Sequence, residues 1–249
     1  MAGRWCSLTR AHSAARLRLI SARLRSARAR SYTGYVRIQR TVLVAFCLLC
    51  LRAGPIFAAG VLSPDHPVLV CYGDSITAGL GLRDGEAYPE DLQKLLDARG
   101  YAYKVVNQGT SGATTKDALA GVPYVLRLHP AIVIVEFGGN DGLRGLPVDQ
   151  TRANLDQVLT ALEKAHVKIL LAGITLPPDY GRDYIRSFDE IFRGLAAKHQ
   201  IAVVPMLYKD LINVPDTIQG DGIHPTAKGS AIIASTLYSA LQPLLRKGP

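Results

Sequence analysis

The sequence predicts an α/β protein: a three-layer αβα sandwich built on a five-stranded parallel sheet. Three observations carry this. From Pro67 onward, short apolar runs alternate with segments of helical periodicity. The runs are almost continuously apolar, as in strands covered on both faces, and such strands belong to parallel sheets. Polar and glycine-rich stretches follow the runs directly, and a parallel sheet gathers its functional loops at the carboxyl ends of its strands.

The elements follow in order. Pro67–Tyr72 (PVLVCY) reads as a buried strand. Tyr88–Arg99 reads as a helix stopped by Gly100, which accepts the left-handed conformation common at a helix end. Tyr103–Val106 is a second strand. Thr115–Leu128 is helical, and Pro123 is expected to kink or break it, because proline lacks the N–H a helix needs. Ala131–Phe137 (AIVIVEF) is a third strand. Asp149–Ala165 carries Leu155, Val158, Leu159 and Leu162 on one helical face. Val167–Ile174 is a fourth strand, Tyr184–Lys198 a helix and Ile201–Val204 a short fifth strand. Ala227–Leu245 closes the chain as a helix with Ile233, Leu237, Leu241 and Leu244 on one face, and Pro243 is expected to bend it or end it early. Right-handed crossovers between parallel strands then place helices on both faces of the sheet.

Composition separates a leader from the domain. The chain has 249 residues, 48% of them hydrophobic, which suits one core rather than two. Its net charge of +9 is misleading. Residues 1–64 hold eleven Arg, no Lys and no acids. The remaining 18 Lys and Arg face all 20 acids, a net charge of −2. A nucleic-acid binder carries its basic patch on the folded domain, so that function class is excluded. Thr41–Leu51 is an uncharged apolar run, preceded by Arg37 and Arg40 and followed by Ala58, Ala59 and Gly60. Basic, apolar and small segments in that order are the layout of a secretory signal, and the run is too short for a comfortable helical span. The expected division is a leader at 1–60, with its apolar core at 41–51, and a domain at 61–249. This places the mature protein in the periplasm or outside the cell, with no stable membrane span. Residues 1–36, rich in Arg, Ala and Ser, resemble a transit peptide in composition. We favour reading them as lying upstream of a true start near Val36. Cys6, Cys47 and Cys50 fall in the leader, and Cys71 sits in an apolar run as a small buried hydrophobe. Cys47 and Cys50 have CxxC spacing but no second ligand pair, so no metal site is expected.

The chemistry-bearing residues follow the strands. Gly73-Asp74-Ser75 ends the first, Asn107–Gly112 the second, and Gly138-Gly139-Asn140-Asp141 the third; Asp221–Pro225 comes after the fifth. A parallel sheet brings all four to one edge. A serine hydroxyl is a poor nucleophile until a base takes its proton, histidine is the natural base near neutral pH, and a carboxylate on the other ring nitrogen fixes the tautomer. Asp221 and His224, three apart, can serve Ser75 in these roles. Backbone N–H groups at Ser75 and Gly112 and the Asn140 amide can stabilise a tetrahedral oxyanion. Leu80, Leu82, Leu143 and Pro147 are candidates to line an acyl groove. Taken alone, Ser75 could equally be a helix N-cap. Asp74 and Asp141 are read as structural, and His166 and His199 as helix C-terminal cations suited to the dipole.

The blocks GDSITAG, NQGTSGATT, GGNDGLRG and DGIHP together resemble those of the SGNH (GDSL-type) hydrolase family, nearest the bacterial arylesterase, thioesterase I and lysophospholipase L1 group. The resemblance runs from about Pro67 to Leu245. It implies a flavodoxin-like fold, Ser75 as nucleophile, Asp221 and His224 completing a triad, an oxyanion hole from Ser75, Gly112 and Asn140, and no cofactor. Ala113 departs from the group, which often has an acid there. The implied activity is hydrolysis of short- to medium-chain acyl esters, thioesters or lysophospholipids by a monomer acting on small-molecule substrates. A carbohydrate O-deacetylase on the same fold, or an inactive binding protein, are the alternatives. The only tryptophan, Trp5, lies in the leader, which argues against a sugar-binding surface.

Overall fold

The computed structural model describes residues 66–247. The leader, its apolar core and the boundary at residue 60 lie outside them. Five strands, β1 (Val68–Gly73), β2 (Lys104–Gly109), β3 (Pro130–Glu136), β4 (Lys168–Ala172) and β5 (Ala202–Val204), form one sheet of the described residues. All its pairings are parallel and its order is β2-β1-β3-β4-β5. The centre of β3, Ile132–Val135, is completely buried, as a continuous apolar run predicts for a strand covered on both faces.

The helices are α1 (Ser75–Ala78), α2 (Tyr88–Asp97), α3 (Thr115–Leu126), α4 (Gly139–Leu143), α5 (Val148–Lys164), α6 (Arg182–His199) and α7 (Ala227–Leu241). α2 packs on α7 in one layer; α3 packs on α5, and α5 on α6, in the other. The predicted stripe Leu155, Val158, Leu159 and Leu162 of α5 is fully buried. Local signals set the helix starts. Thr114 caps α3 in a reciprocal capping box with Asp117, and Thr226 caps α7 by accepting from Gly229 N–H.

Two expectations need correction. Pro123 lies inside α3 without ending it: it is exposed, and Val122 and Val125 on either side of it are buried, so packing holds the helix across the missing N–H bond. β2 runs on through Asn107-Gln108-Gly109, since these pair in register with Cys71–Gly73 although they carry no apolar signal. As expected of Pro243, α7 ends early, at Leu241.

The strand order reverses direction at β1. The chain leaves β1 for β2 on one side, then crosses to β3 on the other. Ligands in such sheets bind at the carboxyl ends flanking that reversal. α1 follows β1 and α4 follows β3, so both short helices begin there.

Candidate active site

The serine turn is held from below. Asp74, not Ser75, is the N-cap of α1, its side chain accepting from Ile76 N–H at 3.0 Å. Ser75 is therefore the first helical residue, 8% exposed, and its hydroxyl is free for other work. α1 lies so close to the sheet that a Cβ on Gly109 would sit 2.2 Å from the Ala78 nitrogen.

His224 is brought to Ser75 by a loop built on Asp221. One Asp221 oxygen accepts from the N–H groups of Ile223 at 2.9 Å and His224 at 3.0 Å; the other meets His224 Nδ1 at 2.6 Å. Gly222 supplies the left-handed residue this turn requires, at φ 74°. These bonds hold the Asp221 carboxyl down at about 2, with the Ile223 N–H the largest cause, followed by the His224 ring. An ionised Asp221 can only accept, so Nδ1 carries the proton and Nε2 faces Ser75 Oγ with its lone pair, at 2.9 Å. Gln219 straps this loop to the serine side: its Nε2 donates to Leu80 O and to Pro225 O, both at 2.8 Å. Tyr208 Oη donates to Ile223 O at 2.9 Å.

Gly112 turns at φ 79°, and its carbonyl accepts from the Arg144 guanidinium at 2.9 Å. Among the described residues, no backbone carbonyl accepts from the N–H of Ser75 or of Gly112. Asn140, the second residue of α4, directs its amide inward and donates to Ala113 O at 3.0 Å and Asp74 Oδ2 at 3.2 Å. Asp141 is structural, as expected. It is 1% exposed and accepts from Thr115 N–H at 2.9 Å and from the Thr115 hydroxyl at 2.5 Å, which fixes α4 against α3.

Ser75, Gly112, Asn140 and His224 all line one cavity of about 580 Å³, a size that suits a small organic ligand. Its apolar wall is Ile76, Leu80, Leu143, Ile174, Leu176 and Ile223. Of the four groove candidates, Leu80 and Leu143 are there. Leu82 and Pro147 are not: Leu82 turns back toward Gly79, and Pro147 caps α5. The segment Ile174–Pro178 after β4, which forms much of the wall, was not singled out in the sequence. Its signal was the run ITLPP, apolar residues stiffened by two prolines directly after a strand. Among the described residues, no cluster of His, Cys, Asp or Glu is arranged to hold a metal ion.

Fold and site together define a hydrolase of the parallel αβα type, with a Ser–His–Asp cluster at the carboxyl edge of its sheet. The chain belongs to the GDSL-like lipase/acylhydrolase family, whose profile matches residues 71–232. It is 39% identical to the esterase TesA of Pseudomonas aeruginosa over 178 residues, 71% of this chain and 89% of that one. It is 36% identical to the thioesterase 1/protease 1/lysophospholipase L1 of Escherichia coli K12, covering 71% of this chain and 84% of that one. The crystal structure of TesA superposes with a TM-score of 0.69 at 39% identity, over 72% of this chain and 99% of the other.

Proposed function

We propose that the protein hydrolyses short- to medium-chain acyl esters or thioesters through an acyl-enzyme on Ser75. One observation carries the reading: the 2.9 Å contact between Ser75 Oγ and His224 Nε2 at the floor of an apolar cavity. In the first half-reaction Ser75 Oγ attacks the acyl carbon while His224 takes its proton, and Asp221 stabilises the imidazolium. The N–H groups of Ser75 and Gly112 and the Asn140 amide receive the negative oxygen. The intermediate collapses, His224 returns the proton to the departing alkoxide or thiolate, and the acyl group stays on Ser75. Water then attacks with His224 as base, releasing the acid and restoring the hydroxyl.

The relatives' names, esterase and thioesterase/lysophospholipase, support esters, thioesters and lysophospholipids as the substrate classes. The apolar wall favours an acyl chain over a sugar. A secretory leader would place the enzyme in the periplasm or outside, away from cytosolic acyl-CoA. Among the described residues no helix is long and apolar enough to cross a membrane. The test is a p-nitrophenyl ester series from acetyl to palmitoyl, on the wild type and on Ser75→Ala. We expect an optimum at short to medium chains and a loss of at least about 1,000-fold in the variant. A folded wild type inactive on every chain length would sink the reading.

A further inference from the structure

We propose that Glu136 is a positioning residue for the oxyanion site: its carboxyl group donates a hydrogen bond to Asp74, and Asp74 in turn holds the Asn140 amide. The inference rests on the esterase reading above.

Glu136 ends β3 directly beside Gly73 of β1 and is 1% exposed. Every other residue of Ala131–Phe137 is apolar, and a leucine would fill such a position without burying a carboxyl group. The sheet makes room for the acid: a Cβ on Gly73 would sit 2.6 Å from Glu136 Oε2 and 2.0 Å from Thr77 Oγ1. Glu136 Oε2 accepts from the Thr77 hydroxyl at 2.8 Å and from Asp74 N–H at 3.3 Å, which ties it to both flanks of Ser75. The Thr77 oxygen in turn lies 2.8 Å from Tyr88 Oη.

The other oxygen, Glu136 Oε1, is buried and meets no ordinary donor. The Asp74 N–H on Oε2, at 3.3 Å, sets the Asp74 and Glu136 carboxyl groups beside each other, and each charge acts on the other. Two carboxylates in that relation repel; with one proton between them the contact becomes a strong bond. The deeper group keeps the proton. Burial, and then the Asp74 charge, push the Glu136 carboxyl well above the usual range. Asp74, pushed up to about 6 mainly by burial, is the partner that ionises. The other titratable groups facing the pair are Tyr88 from α2, with Cys71 behind it, Tyr208 from the segment after β5, and His224.

The arrangement has two consequences for chemistry. One proton reduces the charge behind the oxyanion position from two to one, where a second negative charge would oppose the developing oxygen anion. It also leaves Asp74 Oδ2 anionic and fixed, so that one Asn140 N–H stays on Asp74 while the other, on Ala113 O in the free enzyme, turns to the oxyanion.

The test compares Glu136→Met, which keeps the volume and removes the bond, with Glu136→Gln, whose amide can donate to Asp74 and accept from Thr77. On a p-nitrophenyl ester, Glu136→Met is expected to lose kcat by about 10- to 100-fold, with KM within about threefold of the wild type. Glu136→Gln is expected to recover most of that loss. A merely structural role would not produce a loss confined to kcat and rescued by the amide. A Glu136→Met enzyme with wild-type kcat, or a folded Glu136→Gln enzyme as poor as it, overturns the proposal. Should Glu136→Met fail to fold, the infrared difference spectrum of wild type minus Glu136→Gln at neutral pH decides. The C=O stretch of a protonated carboxyl group is expected, and its absence overturns the proposal. A wild type that has this band but no esterase activity contradicts the Ser75 reading itself.

Discussion

In the proposed mechanism the placement of one proton separates an inert Ser75 hydroxyl from a nucleophile, and the residues that would govern it can be tested singly. Asp221→Asn would leave the loop in place but remove the acceptor that fixes the His224 tautomer. We expect kcat to fall about 1,000- to 10,000-fold with little change in KM, measured by steady-state kinetics. Asn140→Ala should lower kcat by about 100- to 1,000-fold in the same assay, the usual loss for one oxyanion donor. Glu136 adds a stability prediction. A carboxyl whose value in the fold is raised above its ordinary 4.5 binds its proton more tightly folded than unfolded, so its contribution weakens as pH climbs above that value. Glu136→Gln abolishes this term. Its Tm relative to the wild type should therefore be higher at about pH 8 than at about pH 5; a difference that shrinks as pH rises contradicts it. Ser75 and Asn140 were legible because each stands in a polar stretch directly after a strand, and Asp221 and His224 because DGIHP sets an acid and a histidine three apart, where packing alone gives no reason for them. Glu136 was not. Inside a six-residue apolar setting its charge reads as noise, and only the contact with Asp74, 62 residues earlier, gives it meaning.

At the scale of elements, periodicity identified the long helices and missed the short ones. α5 and α6 span 17 and 18 residues, enough turns for an apolar stripe to declare itself. α1 and α4, with four and five residues, complete little more than a turn, yet they carry Ser75 and Asn140. α1 rests on a single local cap from Asp74, and α4 is tied down by the tertiary bonds of Asp141 to Thr115, which a local pattern cannot reveal. His199 likewise has more to do than suit a helix dipole. Its ring, 6% exposed, lies between Asp156 at 2.7 Å and Glu163 at 2.8 Å, and so pins α6 to α5. His199→Ala should lower stability by about 1–2 kcal/mol, discounted for the partial exposure of both carboxylates. In a thermal melt this is a Tm lower by about 2–8 °C. His199 ends α6 just before β5 begins, at the edge of the sheet opposite the site, so kcat should stay unchanged. An unaltered Tm would show that the pair is only a surface contact.

Across the whole molecule, the sheet was readable because each strand announces itself by composition and right-handed crossovers restrict how strands can be joined. The order β2-β1-β3-β4-β5 then brings segments from Ser75 to His224 to one edge. The cavity was only half readable. Leu80 and Leu143 adjoin recognisable blocks, whereas Ile174, Leu176 and Tyr208 reach the site because β4 and β5 deliver them there. The same convergence makes the activation of Ser75 simple to test. A fluorophosphonate probe phosphonylates a serine hydroxyl only where a base activates it and donors receive the new oxyanion. The most direct measurement is mass spectrometry of peptides from the probe-treated protein, with His224→Ala in parallel. One adduct is expected, on Ser75, and it is lost in the variant. A folded wild-type protein that takes no label, or takes it on another residue, would contradict it.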